Sequence, residues 1–381
     1  MRDRAQVVYA IVFLDLVMMF ALIPLLPDYQ SQYGLTKPQA GLVVSAYSIT
    51  VLALSFPVGW LADRVGPRRL TIAGVALMAV ATPAYAFGSG FWSLMAARGV
   101  QGAASAISWT AALAWLMSVN PPDQRGRVLG TATGFGSAGI LIGPVFGGVV
   151  GSLFGIRAPF VILGIAAGVV AVLALFTSTP PRTAFEPASL TAVLRRGFGE
   201  RAIVVAAVLI FVAAVVGGTI ETLVPLHLGH DGYSAAWITV VLTISGALSV
   251  VTNRVAGELS DRVSKRLIAL YACAGTLAGL VLLAVMPNAL GIAIVFIALT
   301  PAISGLYTVG YPLSAIGADR SSLGHSSVFG LINVVWGAGF VVGPAAMAAV
   351  AAASSDPVAY VILVIFTLGA GEYLRRLALD W

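Results

Sequence analysis

Apolar segments of about 20 residues, the length a helix needs to cross a bilayer, recur along this chain from one end to the other. They lie near residues 7–27, 38–62, 70–88, 91–118, 127–151, 158–178, 202–226, 235–257, 267–286, 289–315, 325–351 and 357–377. That pattern predicts an all-α integral membrane protein of twelve transmembrane helices. An even number puts both ends on one side. Composition agrees: 9% of residues are charged, against about 25% in a soluble domain. The first segment is long enough to span, with Asp15 near its middle and two prolines toward its end, so it reads as a spanning helix and not as a cleavable leader.

The arginines and lysines set the orientation. With both termini in the cytoplasm, eighteen of the 21 basic residues fall in inside segments. Only Lys37 and Arg157 fall outside, and Arg98 lies within a helix. The basic balance of +6 therefore reflects topology and not a nucleic-acid surface, because the charges sit in short clusters between apolar stretches. The expected location is the cytoplasmic (inner) membrane. One cysteine, Cys273, and three histidines leave no disulfide framework and no zinc set, and no metal or other cofactor is expected. His227 and His230, at the outer end of the seventh segment, are placed to sense external pH; His325 opens the eleventh on the inside.

The longest polar break, 179–200, divides the chain into an N-terminal bundle at 1–178 and a C-terminal bundle at 201–381, with the break as a cytoplasmic linker. The halves repeat. Gly59-Trp60-Leu61-Ala62-Asp63-Arg64-Val65 is echoed by Gly257-Glu258-Leu259-Ser260-Asp261-Arg262-Val263, Gly143-Pro144 by Gly343-Pro344, and Asp123 by Asp319. Two pseudo-symmetric six-helix bundles follow, with a substrate site near the midplane between such repeats.

Gly59-x-x-x-Asp63-Arg64-x-Gly66-x-Arg68-Arg69 resembles the signature loop between the second and third helices of the major facilitator superfamily. The resemblance implies a secondary transporter working by alternating access, and not an enzyme. It also implies a conformational latch built from Gly59, Asp63, Arg64, Gly66, Arg68 and Arg69, with Asp123, Asp261 and Arg262 at matching places. The second copy has Ser264 where a glycine is expected. Arg98-Gly99-Val100-Gln101-Gly102 resembles a second family motif. An arginine inside the bilayer costs at least about 2.5–3.5 kcal/mol unless partnered. Asp15 is the acid of comparable depth in the same half, so Arg98 is expected to tune Asp15 or to hold a polar network around Gln101. Gly139-x-x-x-Gly143-Pro144-x-x-Gly147-Gly148 resembles the fifth-helix motif of the antiporter branches. Small residues at this spacing admit close helix packing, and the proline bends the helix.

Asp15 and Glu221 are the two acids deepest in apolar sequence. An ionised carboxylate is expensive there, so both are expected to exchange protons during the cycle. Asp15 with Ile23-Pro24-Leu25-Leu26-Pro27, and Glu221-x-x-x-Pro225, resemble the first and seventh helices of the drug:proton antiporter branch that includes the vesicular amine transporters. That branch carries further acids in the tenth and eleventh helices and a lysine in the second. This chain has Tyr307, Asn333 and Tyr47 at the nearest matching places. Tyr47, Trp109, Trp115, Tyr307, Tyr311 and Trp336, with Asn333 and Gln101, are candidates to line a pocket for a cation or amphiphile. Trp115 and Trp237 read rather as interfacial anchors.

These readings converge on a proton-coupled exporter of a small lipophilic or cationic compound, drawing on the proton gradient and functional as a monomer. The alternative is a proton symporter or facilitator for a sugar, organic acid or other metabolite. There is no glycine-rich phosphate loop of the ATPase pattern.

Overall fold

The computed structural model describes residues 2–120, 125–177, 190–260, 264–321, 323 and 325–376. Among these residues the chain forms fourteen α-helices: α1 (Arg2–Phe20), α2 (Leu26–Tyr33), α3 (Lys37–Val65), α4 (Pro67–Ala86), α5 (Phe91–Val119), α6 (Arg125–Phe154), α7 (Ala158–Leu175), α8 (Leu190–Gly197), α9 (Arg201–His230), α10 (Ala235–Ser260), α11 (Lys265–Val285), α12 (Ala289–Ser321), α13 (His325–Ala353) and α14 (Asp356–Arg376). Eleven spans among the described residues are long and apolar enough to cross a membrane. They do not include α5, which has the length but carries Arg98, Gln101, Ser105 and Ser108 on one buried face.

The first span departs from a single helix over 7–27. It runs over Ala5–Tyr33 and is broken by a 3₁₀ turn at Ile23–Leu25 between α1 and α2. Pro24 and Pro27 cause the break: neither has an N–H to donate, and each sits in the first turn of a new helical segment. At Gly66 the backbone turns with φ +100°, a conformation other residues rarely adopt, and Pro67 then starts α4. Among the described residues of the polar break, 190–200, lies the short helix α8, whose last turn carries Arg195 and Arg196.

Large apolar side chains stand exposed along the outside of several helices. On α7, Ile165, Val169, Val172 and Leu173 are each more than half exposed. In water such a face would be an association surface; on a spanning helix it is the face that meets lipid. Trp115 is a correction to the interfacial-anchor expectation. It is fully buried, packed with Val12, Met18, Leu116 and Leu163 in the core of its bundle. Trp237, by contrast, is half exposed.

The helices gather into two compact units. One comprises Met1–Leu35, Leu42–Phe185 and Ser234–Thr243; the other comprises Thr36–Gly41, Glu186–Tyr233 and Ile244–Trp381. In the first, α6 lies against α1, and α4 packs between α5 and α7. A Cβ on Gly139 would come 2.6 Å from the Phe13 carbonyl oxygen, and one on Gly143 3.0 Å from that of Val17. Hence α6 approaches α1 backbone to backbone, as small residues permit. In the second unit α9 lies between α12 and α13. Here a Cβ on Gly339 would meet the Phe211 carbonyl oxygen at 3.0 Å, and one on Gly343 would meet that of Val215. Phe211 and Val215 stand 198 residues after Phe13 and Val17, and Gly339 and Gly343 stand 200 after Gly139 and Gly143. The sequence repeat is thus a repeat of helix packing, with α1 and α9 as counterparts.

Candidate functional site

In the first unit Asp15, Tyr47 and Arg98 come together from α1, α3 and α5. Asp15 is 2% exposed. The Ser105 hydroxyl donates to its Oδ2 at 2.8 Å. The Tyr47 hydroxyl lies 3.1 Å from Oδ1 and 2.6 Å from the Ser105 hydroxyl. Tyr47 has one proton to give, so it serves one of these acceptors at a time. When Ser105 donates to Asp15 and Tyr47 does likewise, each carboxylate oxygen holds a donor.

Arg98 continues the network. Its guanidinium donates to the Met19 carbonyl at 2.9 Å through Nη2 and to Gln101 Oε1 through Nη1. Gln101 passes the chain on through Nε2 to Thr82 Oγ1 at 3.2 Å. The guanidinium carbon also lies 4.8 Å from the centre of the Tyr47 ring, a cation–π distance. Among the described residues no Arg98–Asp15 ion pair is formed. The two communicate through Tyr47, whose ring faces the arginine and whose hydroxyl faces the acid. Nε of Arg98 is buried with no hydrogen-bond partner among the described residues. One face of α5 supplies most of this site. Arg98, Gln101, Ser105 and Ser108 recur at helical spacing and are all buried. That spacing was the sequence signal for Ser105, which motif matching alone passes over.

The close α1–α6 approach fixes the acid's position. Gly139 packs on Phe13 and Val17, the residues two before and two after Asp15. Gly147 packs on Ala21, while Gly148 faces Thr239. Pro144 stands inside α6, between Gly143 and these two glycines. Trp109 does not join the Asp15 network; it packs partly buried against the adjoining core.

In the second unit Glu221 lies on α9, one turn before Pro225. Its Oε2 is buried with no hydrogen-bond partner among the described residues. Proline at 225 also removes the N–H that would bond the Glu221 backbone carbonyl, so the helix is open at this acid in two ways. Tyr307 of α12 lies close to Glu221 of α9 and to the Trp336 indole of α13. Tyr307 stacks on Tyr311 with ring centres 6.1 Å apart, and Trp336 packs on Phe340 at 4.7 Å. Asn333, nearly one turn before Trp336 on α13, is half-buried. Sequence reasoning missed a polar cluster nearby. Asn253 of α10 donates to Ser304 at 2.6 Å and accepts from Thr308 at 2.9 Å, both on α12.

The loop residues divide. Arg68 donates to the carbonyls of Ala174 and Leu175 at 3.2 and 2.8 Å and to Thr177 Oγ1 at 3.3 Å. It therefore closes the C-terminal end of α7, where cations are favoured. Arg69 is exposed. The side chains of Gly59, Asp63 and Arg64, and the residues Asp123, Asp261 and Arg262, lie outside the described set.

Apolar helices with lipid-facing sides, with an acid set among hydroxyl and aromatic groups in each unit, define a polytopic membrane protein. The chain belongs to the Major Facilitator Superfamily, whose profile matches residues 8–344. It is 28% identical over 339 residues to the synaptic vesicular amine transporter of Homo sapiens, a match covering 84% of this chain and 62% of that protein. It thus spans less than two thirds of that relative's length. It is 27% identical over 254 residues to the quinolone resistance protein NorA of Staphylococcus aureus, covering 65% of this chain and 64% of that one. The fold matches a bacterial homolog of the human lysosomal transporter Spinster, crystallised in an inward-facing, unoccupied conformation. The TM-score is 0.80 at 18% identity, with 98% of this chain and 97% of that one covered. The protein is therefore a member of a family of membrane transporters.

Proposed function

We propose that the protein is a proton-coupled antiporter that exports a small lipophilic or cationic compound, with Asp15 and Glu221 as its proton-exchanging groups. The observation that carries this reading is Glu221: a carboxylate oxygen buried with no hydrogen-bond partner among the described residues, close to Tyr307. Such a group is costly as an anion and is satisfied by either a proton or a cation. Proton and cationic substrate then compete for one carboxylate, which is the elementary requirement of exchange. Tyr307, Tyr311, Trp336 and Asn333 supply π-faces and an amide for the substrate. Asp15 plays the second part. Its hydroxyl partners hold it in place, and Arg98 acts on it through Tyr47. The names of the relatives, an amine transporter and a quinolone resistance protein, agree with a substrate of this kind.

In this reading the chain lies in the cytoplasmic membrane as a monomer with both termini inside. Residues 1–178 and 201–381 are its two bundles, and the loops at Asp63 and Asp261 are its inner latch. An external proton reaches Asp15 or Glu221 and weakens substrate binding. The substrate leaves outward, and the proton is released inside after the bundles rock. The test is Asp15→Asn with Glu221→Gln in reconstituted vesicles. Loss of gradient-driven transport is expected; transport at the wild-type rate in the double variant would refute the assignment.

A further inference from the structure

We infer that Lys37, His227 and Asp356 form a proton-sensitive tie that holds the first turn of α3 to α9 and α14, with His227 setting its strength. Lys37 Nζ donates to Asp356 Oδ1 at 2.7 Å, and His227 Nδ1 lies 3.0 Å from Oδ2. Both oxygens of one carboxylate are therefore held, by residues 319 and 129 positions away in sequence. The Asp356 side chain is only 7% exposed and opens α14, where the helix end favours negative charge. Packing fastens the same turn. Gly41, one turn along α3, is pressed against α13, where a Cβ would meet the Pro344 carbonyl and lie 2.7 Å from the Ala348 Cβ.

The second ring nitrogen makes the tie responsive. Nε2 of His227 stands 3.7 Å from Asp231 Oδ2, beyond a hydrogen bond but close for a charge pair. A neutral ring that donates from Nδ1 to Asp356 turns a bare lone pair toward the Asp231 carboxylate. A proton on Nε2 replaces that repulsion with attraction. The groups that face Lys37, namely Asp356, Asp231 and His227, carry two net negative charges with a neutral ring and one once the ring is protonated, so protonation weakens the hold on Lys37. The other ionisable groups nearby are His230, 3.4 Å from Asp231, and Tyr360, one turn along α14. The adjoining stretches of α12 (289–304) and α13 (344–353) contain no ionisable side chain. Histidine changes charge between about pH 5 and 8, so acid loosens the tie of α3 and alkali tightens it. Glu221 lies six residues before His227 on the same helix. In the orientation proposed above the tie faces outside, so external acid releases α3 from the helix that carries this acid.

The test is a spin-label distance measurement between Thr36→Cys and Ser354→Cys in a Cys273→Ser background, with purified protein and no substrate. The short-distance population of the labelled parent is expected to fall several-fold from pH 8.5 to 5.5. H227Q is expected to hold it constant with pH. K37E is expected to lose it at both pH values, and the swap K37E with D356K to restore it. An unchanged pH response in H227Q, no response in the parent, or a folded swap variant that stays long would each overturn the inference. Since no transport is measured, the outcome is separate from that of the antiporter reading.

Discussion

Two chemically identical substitutions on one helix separate the close packing of α6 from its helix propensity. At Gly134 an added Cβ meets nothing within 4 Å. At Gly147 it would strike the Ala21 carbonyl, 2.7 Å from its carbon and 2.8 Å from the Ala21 Cα. Ordinary carbon–carbon contact is about 3.5–4.0 Å, so in Gly147→Ala the two helices must part by roughly 1 Å. Both variants gain about 0.5–1 kcal/mol of helix propensity. Only Gly147→Ala also incurs about 1–3 kcal/mol of overpacking. The two should therefore differ in stability by about 1–3 kcal/mol, with Gly134→Ala at or above wild type. The separation also reaches the site. Shifting α1 by roughly 1 Å stretches the Ser105–Asp15 contact beyond hydrogen-bond length, so transport should fall more than stability alone explains. Unfolding in mixed micelles followed by circular dichroism reads the first effect, and flux in vesicles reads the second. Coincident unfolding curves for the two alanine variants would refute the backbone-to-backbone contact between α1 and α6.

Other consequences are simpler to state. Tyr47→Phe removes the hydroxyl shared by Asp15 and Ser105 while keeping the ring beneath Arg98; a hydrogen bond to a charged group contributes about 1.5–3 kcal/mol, and a tenfold or larger loss of substrate-triggered proton flux is expected with the fold intact by circular dichroism. Gln101→Leu deprives a buried guanidinium of one acceptor and should destabilise by about 1.5–3 kcal/mol in the same unfolding assay, whereas Gln101→Glu should restore most of that loss. Arg68→Ala leaves the end of α7 uncapped and should cost about 1 kcal/mol in unfolding, with little effect on flux in folded protein.

Much of the architecture was legible because a membrane leaves few choices. Segment length and charge placement define the spans, and the repeats at Gly143-Pro144 and Gly343-Pro344 correspond to equivalent packing of α6 on α1 and α13 on α9. The acids Asp15 and Glu221 were legible for the same reason, since charge is rare in such segments. What was not legible depended on three-dimensional proximity. Periodicity does not register the break at Ile23–Leu25, which follows from where two prolines fall within a helix. Trp115 has the same chemistry as an interfacial tryptophan, and only packing against α1 and α7 distinguishes it. Arg98 and Asp15 look like an ion pair in sequence, yet Tyr47 and Gln101 take the places between and beside them. The partnership of Lys37 with Asp356 joins residues 319 positions apart, beyond any local pattern.

The central claim is proton-for-substrate exchange, and one measurement tests it most directly. Purified protein is sealed into vesicles with a trapped pH dye, and a panel of lipophilic amines, dyes, antibiotics, sugars and organic acids is added in turn. Proton movement triggered by a lipophilic cation, and abolished in Asp15→Asn or Glu221→Gln, is the predicted result. Response to sugars or organic anions alone, or solute movement without any proton movement, would contradict it.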